Sequence, residues 1–543
     1  MKTRSVLAGG APLVVRAATP FAAAAQAEPS RHHKRHPHAV SRLNGAARAA
    51  RRGALIAVLT AGVAGAASAQ TVAAAKPDCF SSFSSWFDAS AADCPLSAFG
   101  ITAYGTIDVG GGYQTHGAPF NGDAKTGVSE LISKVNNASR WQFVPNGLAQ
   151  SNFGIKMKEE FASNWFLIGD VNFGFDPYSL RLTNGPRSLV DNNNVPLAME
   201  STNADSARST GWDNTRAYIG FSNPTYGTLT FGRQYTLSND LVAQYDPLGG
   251  AYAFSAIGNS STFVAGTGDT EMSVYNTSVK YQLTYDHFRA GADVQTGGFD
   301  QRNNAESAYQ FDLGGDVGHF SADAVYSNAK DASTLSNYTS GAPTPDTLKA
   351  TLVNISAVVI AAKYKFPSLT VFGGYEYAQL SSPSDLFGAT ATANGGTLIL
   401  NGGYPAVIQA NAYVNPKNLQ VFWLGGKYNI LSNLDFDAAF YDVQQNNYTN
   451  AATKYNIGGG KSAVGIGCGP NLNSAISGST PQGSNAASCP GSEYVLSALL
   501  DWRPVKRVDL YTGVMYSKVS GGLANGYIQD NNTAWTTGVR FAF

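Results

Sequence analysis

From Ser492 to Phe543, apolar and polar residues alternate with a period of two. Tyr494, Leu496, Ala498, Leu500 and Trp502 fall on one parity, Ser497 and Asp501 on the other. After Arg503-Pro504-Val505-Lys506 the alternation resumes with Val508, Leu510, Val514 and Tyr516. It ends on Trp535, Val539, Phe541 and Phe543, with Thr536, Gly538 and Arg540 between them. A period of two sends successive side chains to opposite faces, so each segment is a strand with one apolar and one polar face.

The same pattern runs back through the chain. Gly100–Gln114 reads as a first strand. Residues 153–158 and 165–173 form a hairpin, as do 215–222 and 228–235, 277–285 and 288–295, 309–314 and 320–327, 355–366 and 369–379, and 419–428 and 434–443. With 494–502, 507–519 and 534–543 the count is sixteen. Short turns, such as Ala162-Ser163-Asn164 and Pro367-Ser368, alternate with longer linkers, the largest being 115–150, 176–213, 236–276, 380–418 and 444–492. No stretch after residue 70 is apolar enough for a transmembrane helix. Charged residues are only 14% of the chain, against about 25% in soluble proteins. Strands of about ten residues, alternating turns and long loops, and a terminal aromatic residue predict an all-β transmembrane antiparallel β-barrel, sixteen-stranded, with both termini on the short-turn, periplasmic side.

The leader sets the compartment. Arg48, Arg51 and Arg52 precede an apolar run ending in Ala67-Ser68-Ala69, which reads as a signal peptide over residues 1–69 cleaved before Gln70. Residues 1–40, with a His-rich run from Arg31 to His38, read as an extended basic region or a misplaced start. Residues 70–99 are read as a short periplasmic segment and 100–543 as the barrel. Removing the ten Lys/Arg and single acid of residues 1–69 leaves 27 basic against 36 acidic residues, a balance that excludes nucleic acid as a partner. Four exported cysteines, Cys79, Cys94, Cys468 and Cys489, suggest disulfides. Three pairings are possible; Cys79–Cys94 and Cys468–Cys489 are favoured because each closes a short loop. Phe80, Phe83 and Phe87 have helical spacing, so the first loop is expected to hold a short amphipathic turn. No metal or other cofactor is expected.

Asn214–Tyr235, NTRAYIGFSNPTYGTLTFGRQY, resembles a hairpin of Gram-negative trimeric general porins. CPLSAFGITAYGTIDVGGGYQTHGAPF is similar to the first strand of the α-proteobacterial members, including the preceding Cys pair. The resemblance covers residues 79–543. It implies a homotrimer of water-filled barrels in the outer membrane, passing ions and small hydrophilic solutes. It also implies a third extracellular loop folded inward, here residues 236–276, whose acids Asp240, Asp246, Asp269 and Glu271 face a basic wall. It further implies that the barrel assembly machinery reads Phe543.

Strand parity supplies the wall: Lys156, Lys158, Arg216, Lys280, Arg289, Lys363 and Arg540 lie opposite the aliphatic residues. A Lys or Arg facing lipid at mid-bilayer costs about 2–4 kcal/mol. Arg233 matches the G-R-Q motif but shares parity with Leu229 and Phe231, so a bulge at Gly232 is expected to turn it inward. Where many relatives have an arginine on the second strand, this chain has Asn152.

Three function classes compete. A passive diffusion channel fits every feature above, with a modest cation preference from the acidic residues unless the basic wall reverses it. A substrate-specific channel, for sugars for example, needs aromatics lining the lumen, but most here fall on the lipid parity. An outer-membrane enzyme needs a positioned base, and only His116, His287 and His319 remain after the leader, the last two beside predicted turns. The long loops are expected to face outside, where lipopolysaccharide would meet them.

Overall fold

The computed structural model describes residues 79–117, 130–132, 138–180, 214–257, 273–296, 307–335, 348–381, 398–400, 404–406, 416–448, 454–456, 462–464, 490–524 and 529–543. Sixteen wall positions run in chain order: β1 (Ile101–Gln114), β2 (in two pieces, Arg140–Pro145 and Asn152–Ala162), β3 (Trp165–Gly174), β4 (Asn214–Asn223), β5 (Gly227–Tyr235), β6 (Val274–Tyr285), β7 (Phe288–Gln295) and β8 (Ala308–Val317). They continue with β9 (Phe320–Leu335), β10 (Leu348–Lys365), β11 (Leu369–Ser381), β12 (Lys417–Leu431), β13 (Leu434–Gln445), β14 (Gly491–Val505), β15 (Val508–Gly521) and β16 (Asn531–Ala542). Each pairs antiparallel with its neighbours in sequence, and β16 pairs with β1 from Thr106↔Ala542 to Gln114↔Ala534. The sheet is therefore closed and has no free edge.

Burial follows the two-residue period. On β13, Asp435, Asp437, Ala439, Tyr441, Val443 and Gln445 are buried while Phe436 and Phe440 are exposed. The exposed parity carries large apolar side chains all round the ring, including Phe311, Ile360, Leu424, Leu496, Val514 and Trp535. In water such a surface would cost about 25 cal/mol per Å²; against lipid it is the outer face of a membrane barrel.

Seven turns of two or three residues join alternate strands. Asn164 and Asp286, both tolerant of the left-handed region, take φ 61° and 53° in two of them. At Gly227, φ is +83° and a Cβ would lie 2.4 Å from the Gln282 carbonyl oxygen, so only glycine fits. The fourth hairpin extends further than its alternation suggests: β8 and β9 stay paired to Val317↔Phe320, and the turn falls at 318–319 rather than 315–318.

Two short helices complete what positions the site. Helix α1 (Phe83–Asp88), capped by Ser82, whose Oγ accepts from Ser85 N at 3.1 Å, lies within a loop closed by the Cys79–Cys94 disulfide. Helix α2 (Leu237–Tyr245) follows β5 directly and is capped by Thr236. Among the described residues no helix is long and apolar enough to cross a membrane.

The second strand departs from the sequence reading. Residues 115–150 read as one polar loop, yet Arg140–Pro145 pairs with Val109–Gln114 of β1, while Asn152–Met157 pairs with Ile101–Thr106. Trp141 and Phe143 alternate with Gln142 and Val144, but the run is only six residues and is broken by Asn146–Ser151. A strand interrupted by a six-residue excursion does not register as periodic.

Candidate pore constriction

After β5 the chain does not return at once to the sheet. Residues 236–257 run as α2 and a series of turns across the buried parity of many strands. The amide of Ser238 donates to Gln310 Oε1 on β8 at 2.9 Å. Tyr245, fully buried, donates its hydroxyl to Asp323 on β9, and Trp423 Nε1 on β12 donates to the Tyr245 carbonyl at 3.1 Å. Tyr441 on β13 donates to Asp246 at 2.6 Å. Phe254 stands edge-on to Tyr511 of β15, ring centroids 6.1 Å apart. The wall makes room with glycine: a Cβ on Gly425 would lie 2.6 Å from Pro247, and one on Gly513 2.6 Å from Phe254.

This segment and the wall share one apolar cluster, in which Leu237, Leu241, Val242, Leu248, Phe254 and Ile257 pack with Val325, Ile355, Val359, Leu419, Val421, Val495, Leu499 and Met515. The buried parity is thus divided. Part of β9–β15 is apolar and covered; the remainder carries charge.

The charges occur mostly as ion pairs between neighbouring strands. Arg216 meets Asp170 at 3.3 Å and donates to Tyr104 Oη at 3.0 Å. Lys280 is 2.5 Å from Asp240 on α2. Arg289 pairs with Asp316 and Asp323. Lys427 lies 3.1 and 3.2 Å from Asp435 and Asp437, and Arg503 reaches Asp435 at 2.7 Å and Asp501 at 2.8 Å. Arg540 sits 2.8 Å from Asp509. Lys363 donates to the Gln244 carbonyl at 3.2 Å with its ammonium over the Tyr245 ring.

Lys156 and Lys158 differ. Both are exposed, and neither has an ion pair among the described residues. Lys156 lies opposite Asp170, but that carboxylate is held by Arg216 and by the Tyr104 hydroxyl at 2.5 Å. The two ammonium groups lie over the rings of Tyr104 and Phe166, at 5.6 and 4.6 Å.

Of the loop acids read from the sequence, Asp240 is 41% exposed at its side chain, while Asp246 is 2% exposed and accepts from Tyr441 and from the Gly250 amide at 2.6 Å. Asp269, Glu271, Cys468, Cys489 and residues 1–69 lie outside the described residues. The bulge beside Arg233 is present: the β5–β6 ladder shifts between Gly232 and Gln234, Gly232 has φ +123°, and the guanidinium donates to Asn276. Sequence reasoning missed the partners of the basic residues. Asp323, Asp435, Asp437, Asp501 and Asp509 stand on strands already identified, and applying the parity rule to acids as well as bases would have found them, whereas Asp316 falls in the expected 315–318 turn and stands on β8 in the structure.

At the short-turn end, Phe543 exchanges backbone hydrogen bonds with Gly105, at 3.1 and 3.0 Å, and its ring lies above that glycine. Phe541 stacks between Phe543 and Phe87, at 6.0 and 6.1 Å. Arg507, 1% exposed in the β14–β15 turn, donates to the carbonyls of Trp86, Ser90 and Cys94 and lies over the Trp86 ring. The Cys79–Cys94 loop is thereby fastened to the end of the barrel.

A closed sixteen-stranded barrel with an apolar belt and a charged interior is a membrane channel. Residues 54–461 match the family model of the Gram-negative porins, and the chain belongs to that family. It is an outer-membrane channel for the passive diffusion of small solutes; family and fold point to a channel rather than an enzyme. No curated protein matches. Similar solved structures include an anion-selective porin from Comamonas acidovorans (13% identity, 82% of this chain and 99% of that one, TM-score 0.49). Others are OmpT of Vibrio cholerae (12%, 83% and 99%, 0.45) and OmpF of Salmonella typhi in complex with daunomycin (12%, 82% and 97%, 0.41).

Proposed function

We propose that residues 236–257 belong to the inward-folded third extracellular loop and narrow the channel, with Asp240 on one side of the opening and Lys156, Lys158 and Arg216 on the other. What carries this reading is the continuous set of contacts from Ser238 to Phe254 along the buried parity of β8–β15. The remaining basic residues, Arg233, Lys280, Arg289, Lys363 and Arg540, belong to the same wall, most with their charge largely met by neighbours. Solutes pass according to size and to the charges that stay accessible.

Three such barrels assemble as a homotrimer, a state also named in the description of one OmpT structure from Vibrio cholerae. Residues 1–69 act as the export signal, Phe543 is read by the barrel assembly machinery, and the outer loops meet lipopolysaccharide. Planar-bilayer recording tests the reading. Closures in steps of three and a nonzero reversal potential in a salt gradient are expected. An absence of open-channel current would refute the pore, and single-step closure would refute the trimer.

A further inference from the structure

Where the two pieces of β2 part, Ile107 and Asp108 of β1 are left without a ladder partner on that side. Asp108 is fully buried, and its carboxylate replaces the missing ladder. One oxygen accepts from the amides of Leu148 and Ala149 at 2.7 and 2.9 Å, and the other from the Tyr511 hydroxyl at 2.6 Å. Its backbone carbonyl accepts from Asn146 N at 3.1 Å, and Asn146 takes φ 62°. The excursion 146–151 is thus folded around a single carboxylate.

The far end of the narrowing segment rests on that same construction. Ala253 N donates to the Gly147 carbonyl at 2.8 Å, and Phe254 packs edge-on against Tyr511. The near end, by contrast, is held independently through Ser238, Tyr245 and Asp246. Both far-end contacts lead back to Asp108, one through the excursion and one through the tyrosine. A buried carboxylate with three donors keeps a fixed geometry, because losing any of them exposes the others to a large desolvation cost.

We propose that Asp108 is the positioning residue for the far end of the constriction, setting pore size through Gly147 and Tyr511 without touching the solute. The inference rests on residues 236–257 narrowing the channel. Replacing Asp108 by Ala loosens the far end, leaving its apolar packing and the Tyr441–Ser255 contact at 3.5 Å, while β1–β16 closure and the near-end contacts remain.

Single-channel recording of purified barrels provides the test, with heat resistance of the folded form on gels as the structural control. Asp108→Ala is expected to raise the time spent in conductance substates roughly fivefold, the population change for the loss of one or two ordinary hydrogen bonds. Asp108→Asn, whose amide oxygen still accepts from Leu148 and Ala149 and whose NH₂ can donate to Tyr511, is expected to restore the wild-type record. Phe254→Ala, which cuts the far end from the loop side, should match Asp108→Ala, and the double variant should add nothing.

Wild-type conductance from assembled Asp108→Ala, or additive effects in the double variant, would overturn the proposal. If Phe254→Ala also leaves the record unchanged, the constriction reading falls with it. If Phe254→Ala alters it and Asp108→Ala does not, only the role of Asp108 falls. Should Asp108→Ala fail to assemble, Tyr511→Phe keeps the ring and removes only its hydrogen bond to Asp108. An unaltered record from that variant would also overturn the proposal.

Discussion

Two basic regions share the charged parity but stand in different surroundings. On β2, Lys156 and Lys158 are exposed, with aromatic rings beneath them and no ion pair among the described residues. On β12, β14 and β16, Lys427, Arg503 and Arg540 are clamped between Asp435, Asp437, Asp501 and Asp509. A charge in a pore acts on a passing ion in proportion to what its neighbours leave uncancelled. The clamped residues have their charges met by wall carboxylates; in the proposed constriction the lysines of β2 are the charges left to meet solute. The strand pattern assigns both regions to one face, and the cross-strand neighbours separate their roles.

The sharpest way to break this contrast is charge reversal on β2. Lys156→Glu with Lys158→Glu should move the cation-to-anion permeability ratio toward cations by roughly five- to tenfold, read from the reversal potential in a salt gradient. Stability should stay within about 0.5 kcal/mol of wild type, because both side chains are exposed. A large loss of stability would show that the lysines are clamped after all.

The opposite signature is expected from Asp435→Ala, which strips Lys427 and Arg503 of their shared, 1%-exposed carboxylate. Unmatched buried groups cost about 1–3 kcal/mol, with the lower part of that range favoured here because both cations are about a third exposed and screened by pore water. Denaturant unfolding from lipid vesicles measures it. An unchanged midpoint would contradict the clamp.

Two smaller effects belong to the short-turn end. Opening the Cys79–Cys94 loop, of sequence separation 15, with Cys79→Ser and Cys94→Ser should loosen the α1 segment by about 3 kcal/mol, the entropy of a loop this size. Hydrogen exchange over residues 83–94 should rise while the strands stay protected. The Ser90 hydroxyl and then Lys506 hold the Asp93 carboxyl below its usual range. A depressed carboxyl stabilises above its unfolded pKa, near 4, and that contribution disappears only as pH falls through the lower folded value. Lys506→Ala should move the Asp93 titration, followed by NMR in micelles, back toward the usual range, with little effect on the fold at neutral pH.

The barrel is legible because period-two alternation survives in single strands and marks all sixteen wall positions, and short loop closure favours the Cys79–Cys94 pair. The arrangement of the segment 236–257 is less so. The contacts of Tyr245, Trp423 and Tyr441 join residues 178 and 195 positions apart in sequence. The clamps depend on strand register, which alternation leaves free by multiples of two. Asp108 was visible as a polar residue in β1, but its importance comes from a break in β2 that hid that strand's upper piece.

The contact between Tyr511 and Asp108 joins residues 403 apart, and the β1–β16 seam beside it joins the first wall strand to the last. Contacts of such separation close the longest loops of the chain and form slowly. One support of the segment 236–257 therefore depends on the β1–β16 seam. A barrel halted before that seam closes would keep the Ala253–Gly147 hydrogen bond but lack the one from Tyr511 to Asp108, so the support that residues 236–257 take from Asp108 is completed only with closure.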